Sequence, residues 1–162
     1  MNEHDVFIRM SHELAEEAVA RGNHPFGALL VKDGVVLMTA LNTVHTNHDV
    51  TAHAELNLVR QASGMYEAGF LADCILYTST EPCAMCTGGI VWSGIGHIVY
   101  SCPAELLGEI TGSGRFVVPC RELLDYASQP LTVTGPILPD DAAALHRRYW
   151  PTYTRTSILR EP

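Results

Sequence analysis

The chain has 162 residues, 47% of them hydrophobic and 17% charged, which suits one globular domain and excludes a disordered composition. No apolar run approaches the ~20 residues of a membrane helix, and Met1-Asn2-Glu3-His4-Asp5 lacks the pattern of a secretory signal, so a cytoplasmic protein is expected. Ten Lys+Arg against eighteen Asp+Glu give a net charge of −8, which disfavours nucleic acid because phosphate backbones repel an acidic surface.

Residues 3–21 carry Val6, Met10, Leu14 and Ala18 at four-residue intervals, with Phe7 and Ala15 beside them. This spacing predicts an amphipathic helix closed by a left-handed cap at Gly22. After the loop His24-Pro25-Phe26-Gly27, segments 28–32 and 35–40 form a β-hairpin around Asp33-Gly34, a strong turn signal. Residues 42–50 read as a polar loop. Thr51 then caps a helix over 52–63, with Leu56 and Val59 inward and Gly64 as its terminator.

Residues 74–78 form a short apolar strand. Pro82 suits the first turn of a helix that continues over 83–92. A strand at 98–100, a helix at 103–110, a Gly-rich loop at 111–115 and a short helix at 120–126 follow. A fifth strand at 131–133 and a last helix at 140–150 complete the chain. This order predicts an α/β fold, a three-layer α/β/α arrangement around a five-stranded mixed sheet. No repeat or linker divides it, so residues 1–162 are read as a single domain. Arg147, Arg148, Arg155 and Arg160 read as solvated charges. Tyr149, Trp150 and Tyr153 lie in a stretch, 146–162, that is either packed on its own domain or laid over a neighbouring subunit.

Five cysteines are an odd number and cannot form a complete disulfide framework. Cys74, Cys102 and Cys120 read as buried thiols, whereas Cys83 and Cys86 carry a metal spacing. The segments His53-Ala54-Glu55 and Pro82-Cys83-Ala84-Met85-Cys86 both begin predicted helices directly after extended chain. A Cys-x-x-Cys pair sets two sulfurs about one helical turn apart, and the positive helix start favours the thiolates zinc requires. With His53 as third ligand, the ion keeps one tetrahedral position for water, the layout of a catalytic zinc site. Glu55 is then placed to take a proton from that water. The competing reading is a structural zinc module, closed by a fourth ligand from His24, His45, His48 or Cys102.

The combination His-x-Glu with a later Pro-Cys-x-x-Cys is the signature of zinc-dependent nucleobase deaminases. Four segments resemble the cytidine and deoxycytidylate deaminase superfamily: Asn23-His24-Pro25-Phe26-Gly27-Ala28, Thr51-Ala52-His53-Ala54-Glu55, Leu76-Tyr77-Thr78 and Thr80-Glu81-Pro82-Cys83-Ala84-Met85-Cys86. The resemblance covers residues 22–100. It implies a cytidine deaminase-like fold, zinc held by His53, Cys83 and Cys86, Glu55 as proton shuttle, and a homodimer with active sites near the subunit interface.

Pro25-Phe26-Gly27-Ala28, Cys74-Ile75-Leu76-Tyr77-Thr78-Ser79 and Ile90-Val91-Trp92 are most similar to the guanine deaminase branch. That likeness assigns substrate contacts to Asn42 and Trp92; Phe26, before a glycine, is read as pocket lining, and Ala54 is taken as a further substrate contact. Two features depart from the branch. Thr87-Gly88 is similar to fungal-type cytosine deaminases, and the branch's aspartate after the fourth strand has no counterpart in residues 105–115. The expected activity is hydrolytic deamination of a free base, guanine or another aminopurine, with release of ammonia. Cytosine or cytidine deamination and tRNA adenosine deamination are the alternatives.

Overall fold

The computed structural model describes residues 2–112 and 117–152. Its five strands are β1 (Gly27–Lys32), β2 (Val35–Leu41), β3 (Ile75–Thr80), β4 (His97–Cys102) and β5 (Thr132–Thr134). They form one sheet in the order β2-β1-β3-β4-β5. β1 is antiparallel to both its neighbours, while β3, β4 and β5 are parallel. The mixed α/β sheet expected from the element order is therefore present.

Alternation along the strands builds two cores. Ala28, Leu30, Leu76 and Ile98 face Ala54, Leu58, Ala62 and Ile90 of helices α3 (Ala54–Met65) and α5 (Ala84–Ser93). Leu29, Val31, Tyr77 and Val99 face Ile8 of α1 (Glu3–Ala20) on the other side. Such period-2 burial on both faces is what a sheet covered by helices on each side requires.

The α1 helix is rotated from the stripe read off the sequence. Its buried residues are Ile8, Ser11, Ala15 and Ala18, while Val6 is 51% exposed. Phe7, Met10 and Leu14 flank the buried line. Small residues lie on that line because the helix rests closely on β1. A Cβ at Gly27 would meet Leu14 Cβ at 2.5 Å and the Ala15 nitrogen and Ser11 oxygen at 2.7 Å.

A short helix, α2 (Val44–Asn47), interrupts the stretch read as a polar loop, and a second, α4 (Ala68–Leu71), lies between α3 and β3 where the sequence reading placed no element. The α3 helix is capped at His53, not Thr51, because the Thr51 hydroxyl donates to Asp49 Oδ1 (2.7 Å) and His53 holds an extended backbone. It also runs through Gly64 to Met65, since nothing crowds that exposed turn.

After β4 come α6 (Ala104–Thr111) and α7 (Cys120–Leu124). Prolines precede both, and neither helix has a side-chain cap of its own. The buried Glu81 carboxylate supplies one to each, accepting from the Ala104 nitrogen (2.9 Å) through Oε2 and the Cys120 nitrogen (2.7 Å) through Oε1. A carboxylate at helix starts satisfies donors the helix leaves unpaired.

The last helix, α8 (Pro139–Tyr149), and the 3₁₀ turn Trp150–Thr152 pack on their own chain through His146, Tyr149 and Trp150. Tyr153, Arg155 and Arg160 lie outside the described residues. Arg148 pairs with Glu16 at 2.8 Å on an exposed helix face, as expected of a solvated charge.

Gly27→Ala places a methyl group against the α1 backbone. It is expected to lower stability by about 1–3 kcal/mol, read as a lower urea-unfolding midpoint.

Candidate active site

The two helices that carry the expected ligands start side by side. His53 is the N-cap of α3 and Cys83 the N-cap of α5, and neither uses its side chain to cap its helix. Both side chains are thus free to turn toward each other. Close approach of the helices is allowed by Gly89, where a Cβ would lie 2.5 Å from Leu56 Cδ2.

His53 Nδ1 lies 3.7 Å from Cys83 Sγ and 3.5 Å from Cys86 Sγ. A tetrahedral ion with Zn–S of ~2.3 Å and Zn–N of ~2.05 Å separates its nitrogen and sulfur ligands by about 3.6 Å. These residues therefore fit zinc. The ligand atoms of His53, Cys83 and Cys86 all lie within 4.8 Å of one another. Among the described residues, none of His24, His45, His48 or Cys102 joins that group, so the closed four-ligand arrangement does not form.

The three ligand groups shift in different directions. The Cys83 thiol is drawn down to about 4, first by its hydrogen bond with Cys86, then by His53, against the cost of burial. Cys86 is pushed far up by the same Cys83 contact and by burial. One thiol lowered and its neighbour raised is the behaviour of a coupled pair, and a divalent ion requires both as thiolates. Burial pulls His53 down, but its hydrogen bond to Cys83 and the charges of Glu55 and Cys83 outweigh that and raise it.

Glu55, in the first turn of α3, is only 4% exposed. Burial pushes its carboxyl up, opposed by the His53 charge. Its Oε1 accepts from Thr78 Oγ1 of β3 at 2.8 Å, and Thr78 Oγ1 also lies 3.1 Å from the Thr80 carbonyl. A buried carboxyl raised by desolvation beside a metal-ligand set is suited to holding and passing a proton.

Of the expected substrate contacts, Ala54 directly follows His53, and Asn42 precedes Thr43, whose N–H donates to the Ala52 carbonyl at 2.9 Å. Asn42 is buried directly after β2, donates its backbone N–H to the Phe26 carbonyl (3.0 Å), and accepts from Val44 N through Oδ1 (3.2 Å). Phe26 is half-buried, with its ring 5.4 Å from His146 and 6.3 Å from Trp150. Ala54 is wholly buried at the first position of α3, where the helix does not use its N–H.

Trp92 is not brought to the cluster. It is 91% exposed at the far end of α5, about 13 Å along the axis from Cys83. Helical periodicity explains the difference, because Met85, Gly88 and Trp92 share the outer face while Cys86 and Ile90 point inward.

The C-terminal aromatics border the site instead. Trp150 stacks on His24 at 5.3 Å and 28°, and Tyr149 Oη is 3.1 Å from His24 Nδ1. Burial, then the charges of His45 and His53, lower His24 to about 4, so its imidazole is neutral. His146 is also held near 4, chiefly by burial. Its Nδ1 accepts from the Trp150 indole (3.1 Å), so Nε2 carries the proton and donates to Thr80 Oγ1 (2.8 Å).

Sequence reading missed Thr78 and His146. A buried threonine within an apolar strand was the available signal for Thr78; nothing local marked His146. Cys74, Cys102 and Cys120 are buried as expected, and burial raises the last two thiols to about 12. A separate cavity of about 610 Å³, lined by Arg21, Thr43, Asn57 and Arg60 among others, contains none of the cluster residues.

Comparison with known proteins supports this chemistry. The family described as "Cytidine and deoxycytidylate deaminase zinc-binding region" matches residues 1–102. The chain is 37% identical over 149 residues to the Schizosaccharomyces pombe protein named "Probable cytosine deaminase", covering 89% of this chain and 90% of that one. It is 44% identical over 99 residues to the guanine deaminase of Bacillus subtilis, covering 60% and 64%. A solved guanine deaminase from Nitrosomonas europaea superposes with a TM-score of 0.78 at 26% identity, over 91% of this chain and 84% of that one.

Replacing His53 or Cys83 with alanine removes one ligand of three. Zinc content, measured by elemental analysis after dialysis at neutral pH, is expected to fall from near one ion per chain to a small fraction of it.

Proposed function

Because the chain belongs to the cytidine and deoxycytidylate deaminase family and is a hydrolytic deaminase, we propose that it deaminates a free nucleobase, guanine or another aminopurine, at the His53–Cys83–Cys86 centre. The observation that carries this reading is the meeting of three metal-ligand atoms and one buried carboxylate at two adjacent helix starts. Zinc, when bound there, supplies a Lewis acid that brings the pKa of water at its open position toward neutrality.

The chain's own groups do the rest. Glu55 accepts a proton from water and delivers it to the ring nitrogen beside the amino-bearing carbon. It then takes the second proton from the hydroxyl group added to that carbon and passes it to the departing amine. Water thus replaces the amino group and ammonia leaves. The first N–H groups of α5 offer donors to charge developing on oxygen. Asn42 and the backbone N–H of Ala54 contact the base edge, with Phe26 against its face.

Guanine is favoured by the 44% identity to a guanine deaminase and by the fold likeness to a second one. Cytosine is the second reading, because the Schizosaccharomyces pombe match extends along 89% of this chain and 90% of that one. A net charge of −8 does not suit an extended nucleic acid.

The reading includes a homodimer. The α5 sequence has no charged residue, yet its outer face carries Met85 at 38% and Trp92 at 91% exposure. A helix apolar all round is normally covered, and a second copy of the same helix is a self-complementary cover.

Ammonia release from guanine, 2-aminopurine, cytosine and cytidine identifies the base. Turnover of guanine above the pyrimidines is expected, and turnover of none of the panel overturns the proposal. Glu55→Gln is expected to keep zinc and lose about 10²–10⁴-fold in turnover. Trp92→Glu is expected to shift the protein to monomer by light scattering.

A further inference from the structure

We infer that Thr78 is a positioning residue that sets the Glu55 carboxylate against the metal centre. The inference rests on the reading of Glu55 as proton shuttle. Two elements carry the centre: α3 bears His53 and Glu55, while β3 leads through Glu81 and Pro82 to Cys83. The Thr78–Glu55 bond, 2.8 Å, ties the first element to the second independently of any ion.

Thr78 is well placed for this. It is wholly buried in the middle of the sheet, paired with Ala28 on one side and Tyr100 on the other. Period-2 alternation from Leu76 turns it to the α3 face. A β-branched side chain on a strand held from both sides has little freedom at χ1. Its hydroxyl is further bracketed by the Thr80 carbonyl at 3.1 Å.

Glu55 by itself is the flexible member. A glutamate side chain has three rotatable bonds, and a displacement of 1 Å at a catalytic group costs up to about 10²-fold in rate. A rigid donor on the opposite element removes that freedom.

A purely structural role for the hydroxyl gives a different result from a positioning role. Valine has the shape of threonine and suits a buried strand. Thr78→Val is therefore expected to fold and to retain zinc, with a modest fall in melting temperature from the donor that Glu55 loses. Its kcat should fall about 10- to 100-fold with KM within about threefold of the parent value. Thr78→Ser restores the hydroxyl and should recover most of that kcat.

The assay is ammonia release by the zinc-loaded full chain, using whichever of guanine and cytosine the parent converts faster. A Thr78→Val kcat within about threefold of the parent overturns the inference. So does a serine variant no better than valine, or a loss of turnover matched by loss of zinc. If the valine variant does not fold, Thr78→Ala is compared with Thr78→Ser, and equal kcat values overturn it. Glu55→Gln, run in parallel, separates the two claims: an active glutamine variant removes the shuttle reading, while an inactive one beside a fully active Thr78→Val removes only the role of Thr78.

Discussion

Close packing of α3 against α5 is the constraint on which the site depends. Gly89 lets the Leu56 side chain occupy the space a Cβ would take, and the two helix starts are thereby brought level. His53 and Cys83 are the cap residues of those starts, with extended backbones that aim their side chains off the helix ends. The positive ends of two helices then surround the sulfurs, favouring thiolates and so a divalent cation. A bulkier residue at 89 would separate the helices and spread three ligand atoms now 3.5–3.7 Å apart across each pair involving His53.

Around this centre, the sheet supplies what the helices cannot. On one face of β3, Leu76 enters the apolar core, Thr78 holds Glu55, and Thr80 accepts from His146. One strand therefore connects the core, the buried Glu55 carboxyl and the C-terminal helix. His146 in turn fixes the Trp150 indole, which stacks on His24 from the loop before β1. The loop before β1 and the C-terminal helix thus meet through His24 and His146, two imidazoles whose pKa values burial lowers to about 4.

Charge-free α5 has two faces with different roles. Cys86 and Ile90 point inward to the centre and the core, while Met85 and Trp92 face outward. Trp92 on the outward face is 91% exposed, whereas Phe26 and Trp150 approach each other, their rings 6.3 Å apart.

The sequence by itself determined the strand and helix order and the mixed sheet, and it singled out His53, Cys83 and Cys86, whose ligand atoms lie within 4.8 Å of one another, and the buried Glu55. These are local properties: periodicity, turn residues, and donor spacings of one or two positions within a single helix start. Its errors also had local causes. A four-residue apolar interval misplaced the buried line of α1, and Thr51 offered a plausible cap that Asp49 had already engaged. Tertiary structure alone decided that Thr78 meets Glu55 across 23 residues, that His146 meets Thr80 across 66, and that Trp92 points away. Contacts between distant segments depend on how helices rotate and pack against the sheet, and no spacing within either segment encodes that rotation.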